Sequence, residues 1–484
     1  MRCLALAQAW QDAGGGTAFA MAESTAALTA RLSAESCEIH PVTAAAGTEE
    51  DARQTIALAR EQQSEWIVVD GYPFTGEYQR ALKAEGFKIL FLDDYGHAAH
   101  YSSDLVLNQN VSAEEKLYAN REAYTELLLG PRYCLLRREF AVWRDWKRQI
   151  RLAGRRVLVM MGGSDPENLT TRVMEALALV EIEDLEATVV VGGSSPYYDL
   201  LSRQAVRSGR ITVRRDVTDV AEWMSWADAA VSSAGTTCWE ICLLALPAVL
   251  IAVAANQAAV AQELGRQGCV VYLGETHDFS VQGLAEKLQM LLGSVETRRT
   301  MSLRSRELVD GKGAERVVSI MRAGLRLRAA KESDSRLLWE WANDARVRAA
   351  AFSMVPIPWE QHEVWFAGKM KDPRCHILVA EDDQCRALGQ FRVDWRSEHD
   401  GEIDVSVSSQ RRGGGLGAVL IELGASRAFA EGGGRLHAFV KSDNVPSCRA
   451  FEQAGFASIG EETVHGQPAI HYVCSRARST SRSE

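Results

Sequence analysis

The sequence predicts an α/β protein in which two doubly wound domains precede a smaller α+β domain. Apolar runs at 66–70, 88–94 and 156–161 end in acidic residues or a glycine-rich turn and alternate with helical patterns, which is typical of buried parallel strands. After residue 329 the order changes to long helices followed by strands, which indicates an α+β unit. We place the three domains at 1–145, 146–325 and 326–474.

The first and last predicted elements rest on local signals. Residues 1–10, from Met1 to Trp10, have apolar side chains at helical spacing and stop at three glycines, as an amphipathic helix does. We interpret 314–328 as a basic helix, and we expect 475–484, which is rich in Ser and Arg, to be disordered. The other predicted strands lie at 18–21, 187–191, 229–232, 248–253, 270–273, 376–381, 387–394 and 402–406.

Length and composition exclude several classes of protein. The chain has 484 residues, 46% hydrophobic and 24% charged, which matches globular proteins of more than one core. A net charge of −10 argues against a nucleic-acid partner. Neither a long apolar span nor a secretory signal is visible, so we expect a cytoplasmic protein with no membrane partner.

Cys238 and Cys242 lack the further ligands of a zinc site, and we expect no metal.

A glycine-rich turn in the third domain is the clearest functional motif. It follows a predicted strand and opens a predicted helix, so its backbone N–H groups can approach a ligand, and the helix start adds about half a positive charge. That arrangement suits a pyrophosphate, although a flexible surface turn is the alternative. The candidate cofactor-binding residues are Gln410, Arg411, Arg412, Gly413, Gly415 and Gly417.

This turn resembles the Arg-x-x-Gly-x-Gly signature of the GNAT acetyltransferase superfamily, and residues 440–456 are similar to that family's closing strand and helix. The resemblance covers about 326–474 and implies an N-acetyltransferase that uses acetyl-CoA. It also implies that acetyl-CoA lies in a splay beside strand 402–406, with Asn444 and Ser447 along the pantetheine arm.

The catalytic groups of this domain are less evident. Many superfamily members have a Tyr at the position of Phe451, where its hydroxyl protonates the departing thiolate, and Phe451 has no such proton. Another group or solvent must supply it, which is tolerable because a free thiol has a pKa of about 8.5. Glu402 and Asp404 are candidate bases, and we select Glu402. Strand alternation also allows both to be simple solvent-facing residues.

Residues 1 to about 320 resemble the UDP-sugar hydrolases of pseudaminic acid biosynthesis, which are relatives of GT-B glycosyltransferases. The resemblance implies two Rossmann-like domains that release UDP from a diacetamido-trideoxy-altrose. The stretches that carry it are 1–7, 69–72, 93–94, 104–110, 162–165, 232–240 and 256–257.

The second domain offers a nucleotide clamp. The turn with Ser233, Gly235 and Thr236 follows a strand and opens a helix, so it can hold a diphosphate, and Glu240 can accept from ribose hydroxyls. A helix start closed by a capping box is the alternative.

A second turn, Gly162-Gly163-Ser164, can add to this clamp from the neighbouring strand. The resemblance places Asn256, followed by Gln257, beside the substrate, although helix capping alone could explain Asn256.

Asp70 and Tyr72 are the candidate catalytic residues of the first domain, since both follow a strand that faces the predicted cleft and a phenol there could orient the sugar or water. Ordinary packing is the alternative for Tyr72.

The resembled family has a Gly-x-Gly-His loop, whose His activates water, just before the stretch that matches residues 1–7. The resemblance therefore places the His base upstream of Met1. We expect the first domain to lack that loop and a central strand, and we expect His97 and His100 to be loop or packing residues.

The sequence therefore predicts a bifunctional enzyme that acetylates a UDP-linked amino sugar with acetyl-CoA and releases UDP from the product. One alternative is a UDP-sugar glycosyltransferase on the same scaffold. Another is a catalytically silent sugar-nucleotide-binding protein. The identity of the sugar and the oligomeric state stay open.

Overall fold

The computed structural model describes residues 1–163, 165–193, 195–215, 217 and 219–475. Within these ranges, no helix combines the length and the apolar character that a bilayer crossing requires.

The first domain is a parallel α/β unit. Its elements are α1 (Arg2–Asp12), β1 (Ala18–Met21), α2 (Ala26–Ala34), β2 (Glu38–Pro41), α3 (Glu49–Glu61), β3 (Trp66–Asp70), α4 (Gly76–Ala84), β4 (Lys88–Leu92), β5 (Leu105–Asn108) and β6 (Glu126–Leu129). β1 pairs with β2, and β3 to β6 form a separate sheet in chain order; the two sheets share no ladder within the described part of the chain. All ladders are parallel, so the residues after β3 and β4 meet at one edge.

The second domain is a doubly wound parallel sheet. Its elements are β7 (Arg156–Met160), α5 (Leu169–Ala178), β8 (Glu186–Val191), α6 (Tyr198–Ser208), β9 (Ile211–Arg215), α7 (Val220–Trp226), β10 (Ala229–Ser233), α8 (Thr237–Leu243), β11 (Ala248–Ala252), α9 (Ala255–Arg266), β12 (Val271–Glu275), α10 (Val281–Gly293), α11 (Val295–Leu308) and α12 (Gly313–Ala323). The strand order is β12-β11-β10-β7-β8-β9. Chain direction across the sheet reverses between β7 and β10, and a crevice forms beyond the carboxyl ends of strands at such a point.

The third domain is a mixed sheet with helices on it. Its elements are β13 (Arg326–Ala329), α13 (Ser335–Ala342), α14 (Ala345–Ala350), α15 (Trp359–Lys371), β14 (Cys375–Glu381), β15 (Ala387–Trp395), β16 (Asp400–Val407), α16 (Leu416–Ala430), β17 (Arg435–Lys441), α17 (Val445–Gln453), β18 (Ala457–Val464) and β19 (Gln467–Ser475). The order is β13-β14-β15-β16-β17-β19-β18. β16 and β17 run parallel and pair only at 400–402 with 435–437, so their later halves diverge.

The first helix differs from its predicted bounds at both ends. Met1, predicted to be its first residue, is instead the N-cap residue before α1, and its side chain makes no capping hydrogen bond within the described residues. Methionine has no side-chain oxygen with which to accept from the first turn. The helix begins at Arg2 and continues two residues past Trp10, to Asp12, because the glycines that end it start only at Gly14.

Two further sequence-based boundaries are wrong. The basic helix predicted over 314–328 ends at Ala323, because Gly324 adopts a left-handed conformation with φ 58°, and 326–329 form strand β13 at the edge of the third sheet. Ser475, assigned to a disordered tail, is the last residue of β19 and pairs with Arg435. The rest of that predicted tail, 476–484, lies outside the described residues.

The first and third domains share one hydrophobic core. Leu6 and Leu107 of the first domain belong to the same buried cluster as Val317 of α12 and Leu420 and Leu423 of α16. A side-chain bond adds to this contact, since the Ser426 hydroxyl donates to the backbone oxygen of Leu127 at 3.0 Å. The first and third domains are therefore packed against each other and are not connected only by a free linker.

Candidate active sites

Two carboxylates and one guanidinium form the floor of the first-domain site. Asp70 ends β3 and Asp94 follows β4, and Arg2 of α1 lies 2.7 Å from each carboxylate. The Cys3 thiol also donates to Asp70, at 3.0 Å. Burial by itself would raise the pKa of Asp70, but the hydrogen bonds and charge of Arg2 outweigh it and hold that pKa below its usual value. Asp70 is therefore an ionised acceptor.

The residue next to this floor, Met1, supplies no acid or base from its side chain and is exposed. The water-activating His that the resemblance places upstream of Met1 stays a prediction. Among the described imidazoles, His97 lies near the floor: its Nδ1 is 3.3 Å from Asp93, and its ring meets the Tyr72 ring edge-on at 5.5 Å between centroids. His97 is thus bound to a buried carboxylate and packed on Tyr72.

Tyr72 connects this floor with the second domain. Its hydroxyl donates to Asp94 at 2.9 Å and accepts from the side-chain amide of Asn256 at 2.6 Å. Burial and the negative charge of Asp94 raise the pKa of Tyr72 to about 12, so the phenol stays protonated at neutral pH. The ring is 47% exposed. The structure thus brings together Tyr72 and Asn256, which are separated by 184 positions in the chain.

Asn256 and Gln257 lie in the first turn of α9 and differ in their contacts. The residue that caps α9 is Ala254, so the capping alternative for Asn256 is wrong. The Gln257 side chain accepts from the backbone N–H of Val253 at 3.2 Å. Gln257 therefore stabilises the loop that presents Asn256 to the first domain.

The two glycine-containing turns of the second domain adjoin each other. Gly162 has φ 97°, and a Cβ added there would lie 3.6 Å from the Ser233 hydroxyl. The turns after β7 and β10 therefore face one space, as their positions at the reversal of strand order require. Gly163 follows in the same turn, and Ser164 lies outside the described residues.

Glu240 is held by an arginine rather than by a capping box. Thr236 is the residue before α8, and its side chain makes no capping hydrogen bond within the described residues; Gly235 precedes it. Glu240 instead accepts from Arg137 at 2.9 Å. Arg137 also contacts Glu139, at 3.0 Å. The capping-box alternative is therefore wrong.

The glycine-rich turn of the third domain has the expected backbone. Gly413 and Gly415 have φ of 87° and 78°, values that favour glycine, and an added Cβ on Gly417 would lie 3.8 Å from Ala450. Gln410 and Arg411 are exposed in the short turn before it. The turn is open, and α16 starts directly behind it.

Arg412 is partly anchored and partly available. Its Nε donates to the backbone oxygen of Val407 at 3.0 Å, and its Nη1 donates to Asp344 at 2.7 Å. The second terminal nitrogen, Nη2, is buried and has no hydrogen-bond partner among the described residues. A buried donor without a partner is costly, and an anionic ligand on this turn would satisfy it.

Asn444 and Phe451 have structural surroundings. The Asn444 side chain accepts from the backbone N–H of Ser447 at 3.3 Å and so caps α17. Phe451 is buried, with Phe456 and Tyr472 against its ring. Asn444 and Ser447, which we predicted to lie along the pantetheine arm, are thus joined to each other at the start of a helix. Phe451 has no proton to transfer.

The candidate base Glu402 forms an ion pair with Arg396. Asp404 accepts from the Gln390 side chain at 2.9 Å. Both carboxylates already have partners, so neither is a free base in this arrangement.

Sequence reasoning missed two histidines on the same sheet. His437 Nδ1 and His471 Nε2 lie 2.9 Å apart, and His437 is the residue of β17 that is paired with Glu402 of β16. Strand alternation alone predicts which residues of one strand share a face. That Glu402 and His437 share a face follows only when the register between their strands is known.

The described ranges contain no group of three or more His, Cys, Asp or Glu that could hold a metal ion. Cys238 and Cys242 are buried in the core of the second domain.

Comparison with known proteins identifies two parts of the chain. Residues 157–317 match the glycosyltransferase family 28 C-terminal domain, and residues 337–456 match the acetyltransferase (GNAT) family. The chain thus has a segment similar to a glycosyltransferase family 28 C-terminal domain, followed by a segment similar to a GNAT acetyltransferase. The predicted fold class is confirmed, as is acetyl-CoA as the cosubstrate of the GNAT domain.

Three relatives match between about half and four fifths of the chain. An uncharacterized protein of Methanocaldococcus jannaschii is 24% identical over 410 residues, covering 81% of each chain. A spore coat polysaccharide biosynthesis protein of Bacillus subtilis is 26% identical over 234 residues, 48% of this chain and 68% of that one. The UDP-2,4-diacetamido-2,4,6-trideoxy-beta-L-altropyranose hydrolase of Campylobacter jejuni is 26% identical over 221 residues, 45% of this chain and 77% of that one.

These relatives support a sugar-nucleotide-related enzyme fused to the GNAT domain. The archaeal match of 410 residues is longer than the first two domains together, so it extends into the GNAT domain.

Proposed function

We propose that the chain performs two reactions on a UDP-linked amino sugar of nonulosonic acid biosynthesis, of which pseudaminic acid is an example. The GNAT domain N-acetylates the 4-amino group of a UDP-4-amino-4,6-dideoxy sugar with acetyl-CoA. The first two domains then release UDP from the diacetamido product by hydrolysis. The observation that carries this proposal is the contact of Tyr72 with Asn256, which closes a polar site between a sugar-side domain and a nucleotide-side domain.

In the hydrolytic step the nucleotide is bound by the second domain. The turns at Gly162-Gly163 and at Ser233 to Thr236 supply backbone N–H groups to the diphosphate, and Glu240 accepts from the ribose. Water attacks the anomeric carbon of the sugar and loses one proton to solvent, the bond between that carbon and the phosphate oxygen breaks, and UDP leaves as an anion.

The first domain contributes the groups that orient the sugar and the water. Asp70 is kept ionised by Arg2 and accepts a hydrogen bond from water or from a sugar hydroxyl. Tyr72 is fixed between Asp94 and Asn256 and keeps its proton, so it acts by hydrogen bonding and not as a base.

In the acetylation step the turn at 410–417 binds the pyrophosphate of acetyl-CoA. Its left-handed glycines and the unpartnered Arg412 Nη2 support this role. The thioester then lies along β16, where β16 and β17 diverge, and the sugar amine attacks its carbonyl carbon.

A second candidate, glycosyl transfer, is favoured by the family 28 match. Both reactions need the same nucleotide clamp, and they differ in what attacks the sugar. The discriminating experiment incubates the purified chain with the UDP-diacetamido sugar in the absence of any acceptor. Continuous UDP release at enzyme turnover supports hydrolysis, and release that requires an added glycan or alcohol supports glycosyl transfer.

The acetylation half is tested separately by following free CoA thiol with the UDP-4-amino sugar. An Asn256→Ala variant serves as control, because it should slow UDP release and leave thiol formation unchanged. Binding of UDP and acetyl-CoA with neither reaction would instead indicate a silent sugar-nucleotide-binding protein.

A further inference from the structure

Four side chains form a hydrogen-bonded row across four neighbouring strands of the third domain. His437 and His471 are joined at 2.9 Å through Nδ1 and Nε2. His471 Nδ1 contacts Glu462 at 2.6 Å, and His437 Nε2 lies 3.4 Å from Asp400. The row therefore runs from β16 through β17 and β19 to β18.

The row includes one residue, His437, at the point where the two parallel strands separate. Glu402 and His437 are the last paired residues of β16 and β17. The divergence beyond them is the gap that the proposed acetylation step uses for the thioester. His437 is thus at the vertex of that gap, and its side chain is 16% exposed.

One arrangement of the ring protons that these contacts allow leaves a free basic nitrogen on His437. When both rings are neutral, His471 Nδ1 can donate to Glu462 and His437 Nδ1 can donate to His471 Nε2. His437 Nε2 is then the acceptor left over, facing Asp400 at a distance near the limit of a hydrogen bond. After proton uptake the same Nε2–H donates to Asp400, so the carboxylate stabilises the charged ring.

We infer that His437 is the general base of acetyl transfer and that His471 and Glu462 conduct its proton to solvent. This inference rests on the proposed acetylation function. Glu462 is half exposed, so the far end of the row opens to water.

The protons and bonds balance in three steps. The ammonium of the sugar gives one proton to His437 Nε2 and becomes a nucleophilic amine. The new C–N bond forms as the C–S bond of the thioester breaks, and the second proton lost by the nitrogen passes to the thiolate to give CoA thiol. His437 then passes its Nδ1 proton to His471 Nε2 while His471 passes its Nδ1 proton to Glu462, which releases it to solvent, and exchange of the remaining ring protons with water restores the starting tautomers.

Other charged and aromatic groups surround the row. Arg396 lies over the Phe439 ring and pairs with Glu402, and Phe439 stacks on His471 with ring centroids 4.4 Å apart. Arg435 lies 3.9 Å from Asp400. The acidic groups near the two rings are Asp400, Glu402 and Glu462, and the basic groups beside them are Arg396 and Arg435.

The first test compares His437→Asn with wild type in acetyl transfer. Asparagine retains a donor in place of Nδ1 and removes Nε2, so we expect kcat to fall by about 10²- to 10⁴-fold. KM for acetyl-CoA and the rate of UDP release should stay unchanged. His471→Gln should lower kcat less and shift the acidic limb of the kcat–pH profile.

His376→Asn is the matched control. His376 pairs with Glu431 and is on β14, three strands from the β17 strand of His437, and its loss should leave kcat and its pH profile as in wild type. If His437→Asn transfers acetyl groups within twofold of wild type with the same pH profile, the inference is overturned. If wild type itself binds acetyl-CoA but acetylates no amino sugar, the proposed function fails instead.

A second measurement does not depend on the sugar substrate. Long-range ¹H–¹⁵N spectra of histidine-labelled protein report which ring nitrogen is protonated, with the two variants providing the assignments. We expect neutral His437 to carry its proton on Nδ1. A neutral His437 protonated on Nε2 would overturn the inference even if acetyl transfer is never observed.

Discussion

Glu422, buried in α16 of the GNAT domain, accepts a hydrogen bond at 2.7 Å from the hydroxyl of Tyr133, which precedes the second domain. Its carboxylate also pairs with Arg132, and the Arg316 guanidinium of α12 lies 3.8 Å away. A charge inside the acetyltransferase domain is thus compensated by residues from the other part of the chain. The two parts of the chain share a core and a buried ion cluster, so they should unfold together.

The first prediction follows from this cluster. Glu422→Ala should lower the free energy of unfolding of the whole chain by about 3–5 kcal/mol, because it leaves Arg132 buried without its carboxylate, whereas Arg316 keeps its pair with Asp310. Urea unfolding followed by tryptophan fluorescence and far-UV circular dichroism measures this.

Glu340→Ala is the control for Glu422→Ala. Glu340 forms an exposed pair with Arg336 one helical turn away, and its loss should cost less than about 0.5 kcal/mol. If wild type unfolded in two separate transitions, the prediction that the shared core makes the domains unfold together would be wrong.

The second prediction concerns acid stability and Asp93. This carboxylate is fully buried and accepts from Tyr101 and from the backbone N–H groups of Tyr95 and Gly96 at 2.9 and 3.0 Å. Burial alone would raise its pKa, but the bonds to His97, Tyr101 and these N–H groups hold it at about 2. A depressed folded-state pKa stabilises the protein above the unfolded value of about 3.9, and this contribution is lost as pH falls toward 2.

We therefore expect about 2–3 kcal/mol of wild-type stability from Asp93 to disappear between pH 4 and about 2. Asp93→Asn should be less stable than wild type at pH 7, with a smaller difference at pH 2.5. Asp199→Asn, on the exposed face of α6, should track wild type at both values. If Asp93→Asn were less stable than wild type by the same free energy at both pH values, protonation of Asp93 could not be the cause of the acid destabilisation.

The third prediction separates the cofactor turn from the hydrolytic site. Arg412→Ala combined with Gly415→Ala should reduce kcat/KM for acetyl-CoA by at least about 100-fold, because a charge-assisted contact is worth about 1.5–3 kcal/mol and a Cβ at φ 78° strains the turn. UDP release should be unchanged.

Gly414→Ala is the matched control in that turn, since Gly414 does not have a positive φ and no described atom lies within 4 Å of its added Cβ. Acetyl transfer by this variant should stay within about threefold of wild type, a change of roughly 0.6 kcal/mol. If the double variant lost acetyl transfer and UDP release equally, the substitutions would act by destabilising the whole fold and not by weakening acetyl-CoA binding.

The sequence predicted the elements whose signal is local. Continuous apolar runs such as 89–92 are fully buried in parallel strands, and the glycine turns occur where strand and helix meet. It failed at 326–329, because a four-residue edge strand with two arginines continues the basic helical pattern that precedes it.

The contacts of the candidate sites depend on register, which the sequence did not reveal. Antiparallel pairing of β17 with β19 places His437 opposite Val473, and His471 lies diagonally to it; a shift of one residue would turn either ring to the other face. Glu422 had a detectable signal, since a carboxylate within a helix of otherwise apolar residues indicates a buried charge with a partner. Its partners were unpredictable, because they come from another domain.

The last prediction tests the nucleotide clamp through Glu240 and Arg137. If Glu240 accepts from the ribose, Glu240→Ala should raise KM for the UDP-sugar by about 10- to 100-fold, the value of a hydrogen bond to a charged group. KM for acetyl-CoA should not change. Arg137→Gln should raise the same KM, because Glu240 then loses the contact at 2.9 Å that orients it.

The two substitutions should be less than additive when combined, since both act through one carboxylate. A substrate analogue without ribose hydroxyls sharpens the experiment: wild type should bind UDP more tightly than 2′,3′-dideoxy-UDP by calorimetry, and Glu240→Ala should bind both alike. Arg137→Lys, which retains the charge, should restore part of the discrimination. If Glu240→Ala still prefers UDP by the wild-type ratio, Glu240 only stabilises the domain linker through Arg137 and another group recognises the ribose.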